Sequence, residues 1–554
     1  MVPAAKPITP RVVLVAATSL WLLCSTIVAH AAPPPPRLVL QLTIDQLRGD
    51  LLPRYRARFG AGGFRLLLDR GIYYANAHYE AANTVTCAGH AALVTGADAA
   101  GHGIVANIWF DRDAGKRVYC VDDDRYPAVG ETAPKGKSPE WLTSTTIGDE
   151  IVIASGRKSR AFAISGKDRS AIVPGGHLGK AFWLSGTLDM ATSRYYYDEL
   201  PSWVTAWNER KSFRRYRDSG WTLLHPLDTY LNAASAANPF AHPRGQMTRS
   251  FPHTLPQADA ELVRALHVTP FLDELTESFA EELMTQEKVG QNGVTDYLSI
   301  AFSATDYVGH SYGPDSVESE DNLLHLDVTL ARLFKFVDET VGLRNTVIVL
   351  SADHGVEDVP EERSQDGYDA GRVGGRPLRE QLNDALKRRM STPDDLVLAL
   401  VSPNVYLDRQ KMAEDHLEPT TVEAALAEIA RATPGIAYAF TRSDLLAGRV
   451  GESPLIARVQ RSFVPAHSGD VILIAKPLWQ LSDPPNADAA THGSPYSYDT
   501  YVPIVFLAPT TKPATVYESV APEQVAPTLA LLLGTKPPSG CICDPPLPHA
   551  LNQQ

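Results

Sequence analysis

The sequence predicts an α/β fold with a mostly parallel central sheet, helices on both faces and inserted cap segments. Three apolar runs, near residues 37–44, 295–305 and 345–351, are typical of strands. They lack the polar alternation of a half-exposed strand, so they indicate strands buried on both faces. Helix-like segments separate the runs, and this alternation is the pattern of a parallel sheet covered by helices.

The first half of the chain carries further elements after the strand over 37–44. A helix starts at Gly63 and ends at Gly71, and a second helix over 88–96 opens just after Thr86. Residues 143–155 are helical in pattern, and 160–165 are strand-like. The alternation of strands and helices is lost over 180–290, a segment rich in aromatics, Pro and Asn. We interpret this segment as an insertion or cap beside the candidate site described below.

The second half contains an amphipathic helix and a second interruption. The helix has an apolar stripe of Leu323, Leu324, Leu330, Leu333, Phe334 and Val337. The interruption covers 360–470. Its predicted elements are a loop over 367–376, a strand over 398–407 and a helix that ends at Ala432 and opens with a capping box at Thr420–Glu423. Strands over 471–475 and 502–507 and a helix over 524–533 follow.

Composition limits the kinds of partner. The chain has 554 residues, of which 44% are hydrophobic and 21% charged, and a formal net charge of −13. No basic run stands out, so we expect no nucleic-acid binding. An acidic protein that handles anionic substrates needs local positive charge, which bound metal ions and a few Lys or Arg side chains would supply.

The N-terminus is typical of an export signal. Lys6 and Arg11 precede the apolar run 12–28, and Ala29-His30-Ala31 is a small-x-small cleavage site. We therefore predict a signal peptide over 1–31, a Pro-rich spacer over 32–37 and a main domain over 38–545, in the periplasm or secreted. An uncleaved membrane anchor is the alternative, because the apolar run is long. No later segment has the length and apolarity of a membrane span.

Four of the five cysteines remain if Cys24 leaves with the signal. Four cysteines in an exported protein permit two disulfides with three connectivities. We favour Cys87–Cys120. Cys541 and Cys543 would close a strained short ring, and a C-x-C metal site is the alternative there.

Seven residues form one candidate site, and five of them directly follow strand-like runs. The set is Asp45, Thr86, Asp306, His310, Asp353, His354 and His492. Ligands of parallel α/β sheets bind at the carboxyl ends of the strands. Carboxylates and imidazoles together suit divalent ions such as zinc. Each motif alone has an ordinary explanation, for example Thr86 or Asp45 as a helix N-cap and His492 as a surface histidine.

Two cations near a strand end are candidates for binding phosphate. In an extended segment, Lys167 and Arg169 would point the same way and could hold the non-bridging oxygens of a phosphate monoester. The alternative is a solvated surface pair. Acidic loops such as Asp122-Asp123-Asp124 make an extra structural calcium conceivable, although a solvated acidic turn explains them more simply.

The chain resembles the alkaline phosphatase superfamily, and within it the bacterial periplasmic PafA/PhoK type with a threonine nucleophile. The motifs that carry the resemblance are TIDQLRGD (43–50), NTVTCAGHAALVTG (83–96), HGIVANIWFD (102–111), GKDRSAIVPGGH (166–177), TDYVGHSYGP (305–314), SADHG (351–355) and THGS (491–494). Their order matches over nearly the whole mature chain.

The resemblance implies an alkaline-phosphatase-like fold and a division of the site. Asp306, His310 and His492 would hold one zinc ion, and Asp45, Asp353, His354 and the Thr86 oxygen the other. Asn107 would donate to a phosphate oxygen, and Lys167 and Arg169 would hold the others. Other divalent ions could replace the two Zn²⁺.

The implied reaction hydrolyses small phosphate monoesters. Thr86 would attack phosphorus, and water would hydrolyse the phosphothreonine. The rivals are a phosphodiesterase or nucleotide pyrophosphatase of the same superfamily and a non-enzymatic metal- or glycan-binding protein. Gly89 and His90 stand where a sulfatase would have Pro and Arg, which argues against a sulfatase. The sequence makes no prediction of the oligomeric state.

Overall fold

The computed structural model describes residues 1, 3–4, 35–132, 134–244, 247–481, 488–542 and 545–551. The chain separates into two units, residues 1–34 and residues 35–554, and every element below belongs to the second. Apart from residues 1, 3 and 4, the predicted signal peptide lies outside the described residues. Among the described residues, no helix combines the length and apolar character needed to cross a bilayer.

The strands are β1 (Leu38–Ile44), β2 (Ile72–His78), β3 (Ile108–Asp111), β4 (Lys116–Tyr119), β5 (Asp122–Val129), β6 (Gly136–Lys137), β7 (Ala161–Ser165), β8 (Lys180–Leu184), β9 (Met190–Ser193), β10 (Asp296–Phe302), β11 (Thr346–Ser351), β12 (Gly371–Val373), β13 (Val397–Val401), β14 (Asn404–Leu407), β15 (Ile436–Thr441), β16 (Val471–Ala475), β17 (Trp479–Leu481), β18 (Tyr501–Leu507) and β19 (Ala514–Val516).

The α-helices are α1 (Leu51–Tyr55), α2 (Phe64–Arg70), α3 (Thr86–Thr95), α4 (Ala99–His102), α5 (Ile147–Ala154), α6 (Asp168–Gly175), α7 (Ser202–Glu209), α8 (Asp259–Leu266), α9 (Phe271–Gln286), α10 (Ala304–Tyr312), α11 (Val317–Thr340), α12 (Pro360–Gln365), α13 (Gly375–Met390), α14 (Arg409–Glu414), α15 (Pro419–Arg431), α16 (Arg442–Leu446), α17 (Pro454–Arg461), α18 (Ser497–Thr500) and α19 (Val525–Leu533).

Eleven strands form the large sheet, in the order β19-β2-β18-β11-β1-β10-β7-β8-β9-β5-β6. The five central strands, β11 to β8 in that order, are parallel. Each residue of β1 is buried, because strands flank β1 on both sides and helices pack around the sheet. The predicted α/β class is confirmed. The sheet is mixed, however, because β18 and β9 run antiparallel to their neighbours.

The antiparallel direction of β18 decides where its preceding loop lies. β18 pairs antiparallel with β11, so the start of β18 is at the edge where β11 ends. The loop that carries His492 precedes β18 and is therefore delivered to the edge where the parallel strands β11, β1, β10 and β7 end. Sequence periodicity shows no strand direction, so it could not have indicated this arrangement.

The two predicted interruptions contain more regular structure than the sequence indicates. Residues 180–184 and 190–193 form β8 and β9 of the large sheet, with β8 parallel to β7, so the α/β pattern continues past residue 180. Within 360–470, β13, β14 and β15 join β16 in a separate four-stranded sheet. This sheet has its own hydrophobic core, which includes Leu382, Val422 and Leu473.

Three local predictions are corrected. The strand predicted over 398–407 is two antiparallel strands, because the chain turns at Ser402–Pro403. The predicted loop over 367–376 contains β12, which pairs with β17. The capping box at Thr420–Glu423 is not formed, because α15 already begins at Pro419, a residue suited to the first helical position.

The acidic run 122–124 begins a strand and is not a free turn. The Asp123 carboxylate accepts bonds from Arg125 at 2.8 Å and from the Ser138 hydroxyl at 2.5 Å. Asp122 accepts from the Tyr119 backbone N–H at 3.4 Å. An ion pair and hydrogen bonds thus account for two of the three carboxylates without a calcium ion.

Candidate functional site

Four neighbouring strands of the large sheet end at the site. Asp45 directly follows β1, and Lys167 follows β7. Asp306 lies on α10 just after β10, and Asp353 follows β11. Because these strands are parallel neighbours, their carboxyl ends bring the four side chains together, as the sequence predicts.

The acidic and imidazole groups form two clusters that share one histidine. Ligand atoms of Asp45, Asp353 and His354 lie within 4.8 Å of one another, and those of Asp306, His354 and His492 do likewise. His310 belongs to neither cluster, but its Nε2 lies 3.1 Å from Asp306 Oδ1. The site therefore contains all six predicted protein ligands, with His354 between the two groups.

The three histidines are oriented by backbone carbonyls. Nδ1 of His310 faces the carbonyl of Ala490 at 2.8 Å, Nδ1 of His354 faces that of Gly355 at 2.9 Å, and Nδ1 of His492 faces that of Thr84 at 2.8 Å. A carbonyl only accepts, so each Nδ1 carries a proton, and Nε2 is the nitrogen that a neutral ring can offer to a metal ion. Metal-binding histidines are typically held in this way.

The electrostatics of the cluster suit divalent cations. Burial, and then the neighbouring Asp353, raise the pKa of Asp45 well above its usual value, and burial raises the pKa of Asp353 to about 7. Burial also lowers the pKa of His354 to about 3, so its ring is neutral. Oxygens Asp45 Oδ1 and Asp353 Oδ2 are buried without a hydrogen-bond partner. Adjacent buried carboxylates with unsatisfied oxygens need positive charge, and a bound cation would supply it.

Asp306 differs from the other two carboxylates because a lysine and two histidines lie around it. Burial alone would raise its pKa, but His310, Lys167 and His492 outweigh burial and lower the pKa well below its usual value. Lys167 Nζ lies 2.5 Å from Asp306 Oδ2 and 2.7 Å from Asp45 Oδ2. The Lys167 ammonium thus bridges two predicted metal ligands.

Thr86 is the first residue of α3 and is buried. The N-cap is Val85, and no side chain caps the helix, so the alternative of Thr86 as an N-cap is wrong. The Thr86 hydroxyl lies 3.5 Å from His354 Nε2 and accepts from Arg169 Nη2 at 3.4 Å. Its oxygen therefore lies beside the guanidinium of Arg169 and beside the six predicted ligands, which we call the metal-ligand cluster: Asp45, Asp306, His310, Asp353, His354 and His492.

The cations lie differently from the sequence prediction. Lys167 is extended, but α6 begins at Asp168, so Arg169 is already helical. The two side chains therefore contact different groups: Lys167 reaches the carboxylates, and Arg169 reaches Thr86. Arg169 Nη1 also donates to the Tyr119 hydroxyl at 3.2 Å. The predicted extended segment ends at Lys167 and does not include Arg169, although both side chains still reach the site.

Asn107 and a disulfide complete this side of the site. The predicted disulfide Cys87–Cys120 is present. The Cys87 backbone N–H donates to Asn107 Oδ1 at 2.8 Å, and the Cys120 N–H donates to the Asn107 carbonyl at 2.9 Å. Because Asn107 Oδ1 already accepts this bond, the side-chain NH₂ group is the part of Asn107 that could donate to a ligand. The other proposed pair includes Cys543, which lies outside the described residues.

Sequence reasoning missed three residues at the site. Gln46 donates to two of the carboxylates, His90 lies fully buried with its Nε2 3.7 Å from Asp353 Oδ2, and Tyr119 contacts Arg169. His90 follows Thr86 by four residues on α3, a spacing that places both on one helix face and could have indicated it. Tyr119 carries no signal of its own in the sequence.

Comparison with known proteins gives a consistent picture. The sequence model of the type I phosphodiesterase / nucleotide pyrophosphatase family matches residues 39–495. The chain is 33% identical over 525 residues to a Myroides odoratus protein named calcium-transporting ATPase, covering 94% of this chain and 95% of the relative. It is 32% identical over 524 residues to alkaline phosphatase PafA of Elizabethkingia meningoseptica, covering 93% and 94%. The crystal structure of wild-type alkaline phosphatase PafA aligns with a TM-score of 0.85 at 31% identity, over 92% of this chain and 98% of that one.

Proposed function

Because the chain belongs to the type I phosphodiesterase / nucleotide pyrophosphatase family, we propose that it is an exported alkaline phosphatase that hydrolyses small phosphate monoesters through a phosphothreonine at Thr86. The observation that carries the proposal is the position of the Thr86 hydroxyl. This hydroxyl lies 3.5 Å from His354 in the carboxylate–imidazole cluster and 3.4 Å from Arg169. A hydroxyl between a metal-ligand set and a cation is suited to attack an anionic ester.

Two divalent ions fit the clustered residues, and we propose Zn²⁺ for both. Asp306, His310 and His492 would hold one ion, and Asp45, Asp353 and His354 together with the Thr86 oxygen would hold the other. The unsatisfied oxygens of Asp45 and Asp353 support this assignment, as do the carbonyl contacts that hold each histidine by its Nδ1 and leave Nε2 to face an ion. When bound, the ions would lower the pKa of the Thr86 hydroxyl and of an attacking water and offset charge on the phosphate.

The chain itself positions the phosphate. The guanidinium of Arg169 and the amide nitrogen of Asn107 would donate to its non-bridging oxygens. Lys167, which bridges Asp45 and Asp306, adds a positive charge beside the cluster. The helix α3, which starts at Thr86, contributes its positive dipole end.

Two steps follow from this arrangement. Thr86 Oγ1 attacks phosphorus, a new oxygen–phosphorus bond forms and the substrate alcohol leaves with a proton. Water then attacks the phosphothreonine, inorganic phosphate leaves and Thr86 regains its hydroxyl proton. Arg169, which contacts Thr86, would stabilise the negative charge that develops on the phosphoryl oxygens in both steps.

The experiment compares kcat/KM for 4-nitrophenyl phosphate and bis-4-nitrophenyl phosphate on the zinc-loaded protein. We expect the monoester to be hydrolysed faster, because Arg169, Lys167 and Asn107 suit the more highly charged phosphate. In parallel, Thr86→Ala should abolish the acid-stable phosphoenzyme while two zinc ions stay bound. Faster diester hydrolysis would instead favour a phosphodiesterase, and phosphoenzyme in Thr86→Ala would contradict the role of Thr86.

Export is a separate part of the proposal, supported by the signal-like segment over 1–31. The protein purified from a periplasmic or secreted fraction should begin at Ala32. A mature protein that retains residues 12–28 would instead support the membrane anchor.

A further inference from the structure

Gln46 contacts the metal-ligand cluster from two directions. It directly follows Asp45 and is almost completely buried. Its side-chain Nε2 donates to Asp306 Oδ1 at 2.9 Å, and its backbone N–H donates to Asp353 Oδ1 at 3.1 Å. One residue thus holds a carboxylate after β10 and a carboxylate after β11, one from each cluster.

The backbone of Gln46 is unusual. Its φ is 68°, in the left-handed region that a residue with a Cβ seldom adopts. Glycine would adopt this conformation without penalty. Strained conformations of this kind cluster at functional sites, where the surroundings hold them in place. Here the strained backbone occurs at a residue whose N–H and amide both contact carboxylates of the site.

Gly309 on α10 makes room for the same amide. A Cβ at Gly309 would lie only 1.9 Å from Gln46 Oε1. Glycine inside a helix is unfavourable compared with alanine, so helix propensity does not explain its presence between Asp306 and His310. The space above Gly309 is filled by the Gln46 side chain, and Gln46 and Gly309 therefore form one unit.

We propose that Gln46 is a positioning residue that orients the carboxylates of Asp306 and Asp353 for two divalent ions, and that Gly309 supplies the space its amide requires. The proposal rests on the proposed function only in taking these carboxylates as metal ligands. A carboxylate that accepts a bond at one lone pair presents its remaining lone pairs in a fixed direction, and the loss of such a partner typically weakens metal binding about 10- to 100-fold.

The test measures Zn²⁺ binding to chelator-stripped protein by calorimetry, for the wild type, Gln46→Gly, Gly309→Ala and the double variant. Gln46→Gly keeps the left-handed backbone and the N–H bond to Asp353 but removes the amide. We expect Zn²⁺ to bind about 10- to 100-fold more weakly at the Asp306 cluster. Gly309→Ala should show the same loss, because the new methyl group displaces the amide.

The double variant separates positioning from general damage. If the methyl group acts only through the Gln46 amide, Gly309→Ala has no further effect once the amide is absent, so the two losses do not add. The unfolding midpoint of the metal-free protein should fall less for Gly309→Ala in the Gln46→Gly background than in the wild type, because the methyl group then meets no amide.

If the two losses of Zn²⁺ affinity add in the double variant, or if Gln46→Gly binds Zn²⁺ as tightly as the wild type, the inference about Gln46 is wrong while the proposed function stands. A wild-type protein that binds no Zn²⁺ at Asp306 and Asp353 would overturn both the inference and the proposed metal site.

Discussion

Arg169 and Lys167 both lie at the site, yet only Arg169 contacts the Thr86 hydroxyl. Arg169 is held there by the Tyr119 hydroxyl, which also donates to Asp168 at 2.5 Å. Asp168 in turn pairs with Lys137 at 2.7 Å. The guanidinium is therefore fixed before substrate arrives, which favours recognition of the extra charge on a monoester.

We predict that Arg169→Ala lowers kcat/KM for a phosphate monoester about 10- to 100-fold, which is the usual worth of a charge-assisted hydrogen bond. The kcat/KM for a phosphate diester should fall less, because the diester carries one negative charge fewer than the monoester. Steady-state kinetics with both substrates measure the difference. The control is Arg65→Ala on α2, where Arg65 is partly exposed and pairs with Asp69 at 3.5 Å. Equal losses for the two substrates would refute the selective role of Arg169.

At the scale of single residues, sequence reasoning worked where a side chain has a distinctive chemistry. Asp45, Asp353 and His354 stand directly after apolar runs, and the structure brings them together. Gln46 and Tyr119 could not be found in this way, because an amide or a phenol next to a strand has many ordinary roles. Their contacts depend on residues far away in the chain, namely Asp306 and Arg169.

Helix α10 carries Asp306 and His310, and a neighbouring helix fixes its start. Asp273 on α9 is buried, and its Oδ1 accepts from the backbone N–H groups of Ser303 at 2.8 Å and Ala304 at 3.0 Å. Asp273 therefore satisfies two free N–H groups at the beginning of α10, as an N-cap would, although it comes from another element.

We predict that Asp273→Ala costs about 1–2 kcal/mol of unfolding free energy, the usual cost of losing a cap. It should also weaken Zn²⁺ binding, because α10 loses its fixed start. Asp273→Asn is the matched control, since it keeps an oxygen acceptor and burial already raises the pKa of Asp273 to about 7. Urea unfolding and zinc titration measure both effects. An Asn variant as damaged as the Ala variant would contradict the capping role.

Helix α11 anchors part of the segment between β9 and α8 through buried acidic residues. Asp321 accepts from the Trp221 indole at 2.6 Å and from the Leu224 backbone N–H at 3.0 Å, and it also bonds the Tyr230 hydroxyl. His325 Nε2 lies 3.4 Å from Asp321 Oδ2, as an ion pair. Burial would lower the pKa of His325, but Asp321 and Glu274 outweigh burial and raise it to about 9.

This ion pair makes stability depend on pH. Because the folded-state pKa of His325 is raised from about 6.5, its contribution is complete below pH 6.5 and is lost as pH rises through about 9. The contribution is at most about 3 kcal/mol. Urea unfolding of the wild type and His325→Gln should differ most near pH 6 and converge near pH 10. A constant difference between the two proteins across this range would exclude the linkage.

For the whole molecule, the metal-ligand cluster joins distant parts of one chain. Its six predicted ligands come from the segments after β1, β10 and β11 and from the loop before β18. Burying uncompensated carboxylates is costly, so the cluster opposes folding unless cations offset its charge. Ion binding to the folded chain therefore stabilises the entire unit by mass action.

We predict that removal of divalent ions by a chelator lowers the thermal unfolding midpoint. An ion present at about 100 times its Kd contributes roughly 2.7 kcal/mol. Differential scanning calorimetry with excess Zn²⁺ or with chelator measures the shift. In Asp353→Asn the shift should shrink, because one ligand is lost. An identical midpoint with and without chelator would contradict the contribution of bound metal to stability.

The sequence was sufficient for the fold class because β1, β10 and β11 are buried on both faces and each consists of a continuous run dominated by apolar residues. It was insufficient for the edges of the sheet and for the insertions. The direction of β18 and the pairing of β12 with β17 are set by contacts across the chain, and a three-residue strand has no periodicity to detect.

The pairing of β18 against β11 also bears on how the protein is made. Thr84 and His492 touch at the site but are 408 residues apart. Synthesis from the N-terminus produces the Thr86 segment early and the His492 loop late in the chain. The cluster can therefore close only after almost the whole polypeptide has been made. A chain interrupted before His492 would carry Thr84 and Thr86 without the histidine that contacts the Thr84 carbonyl.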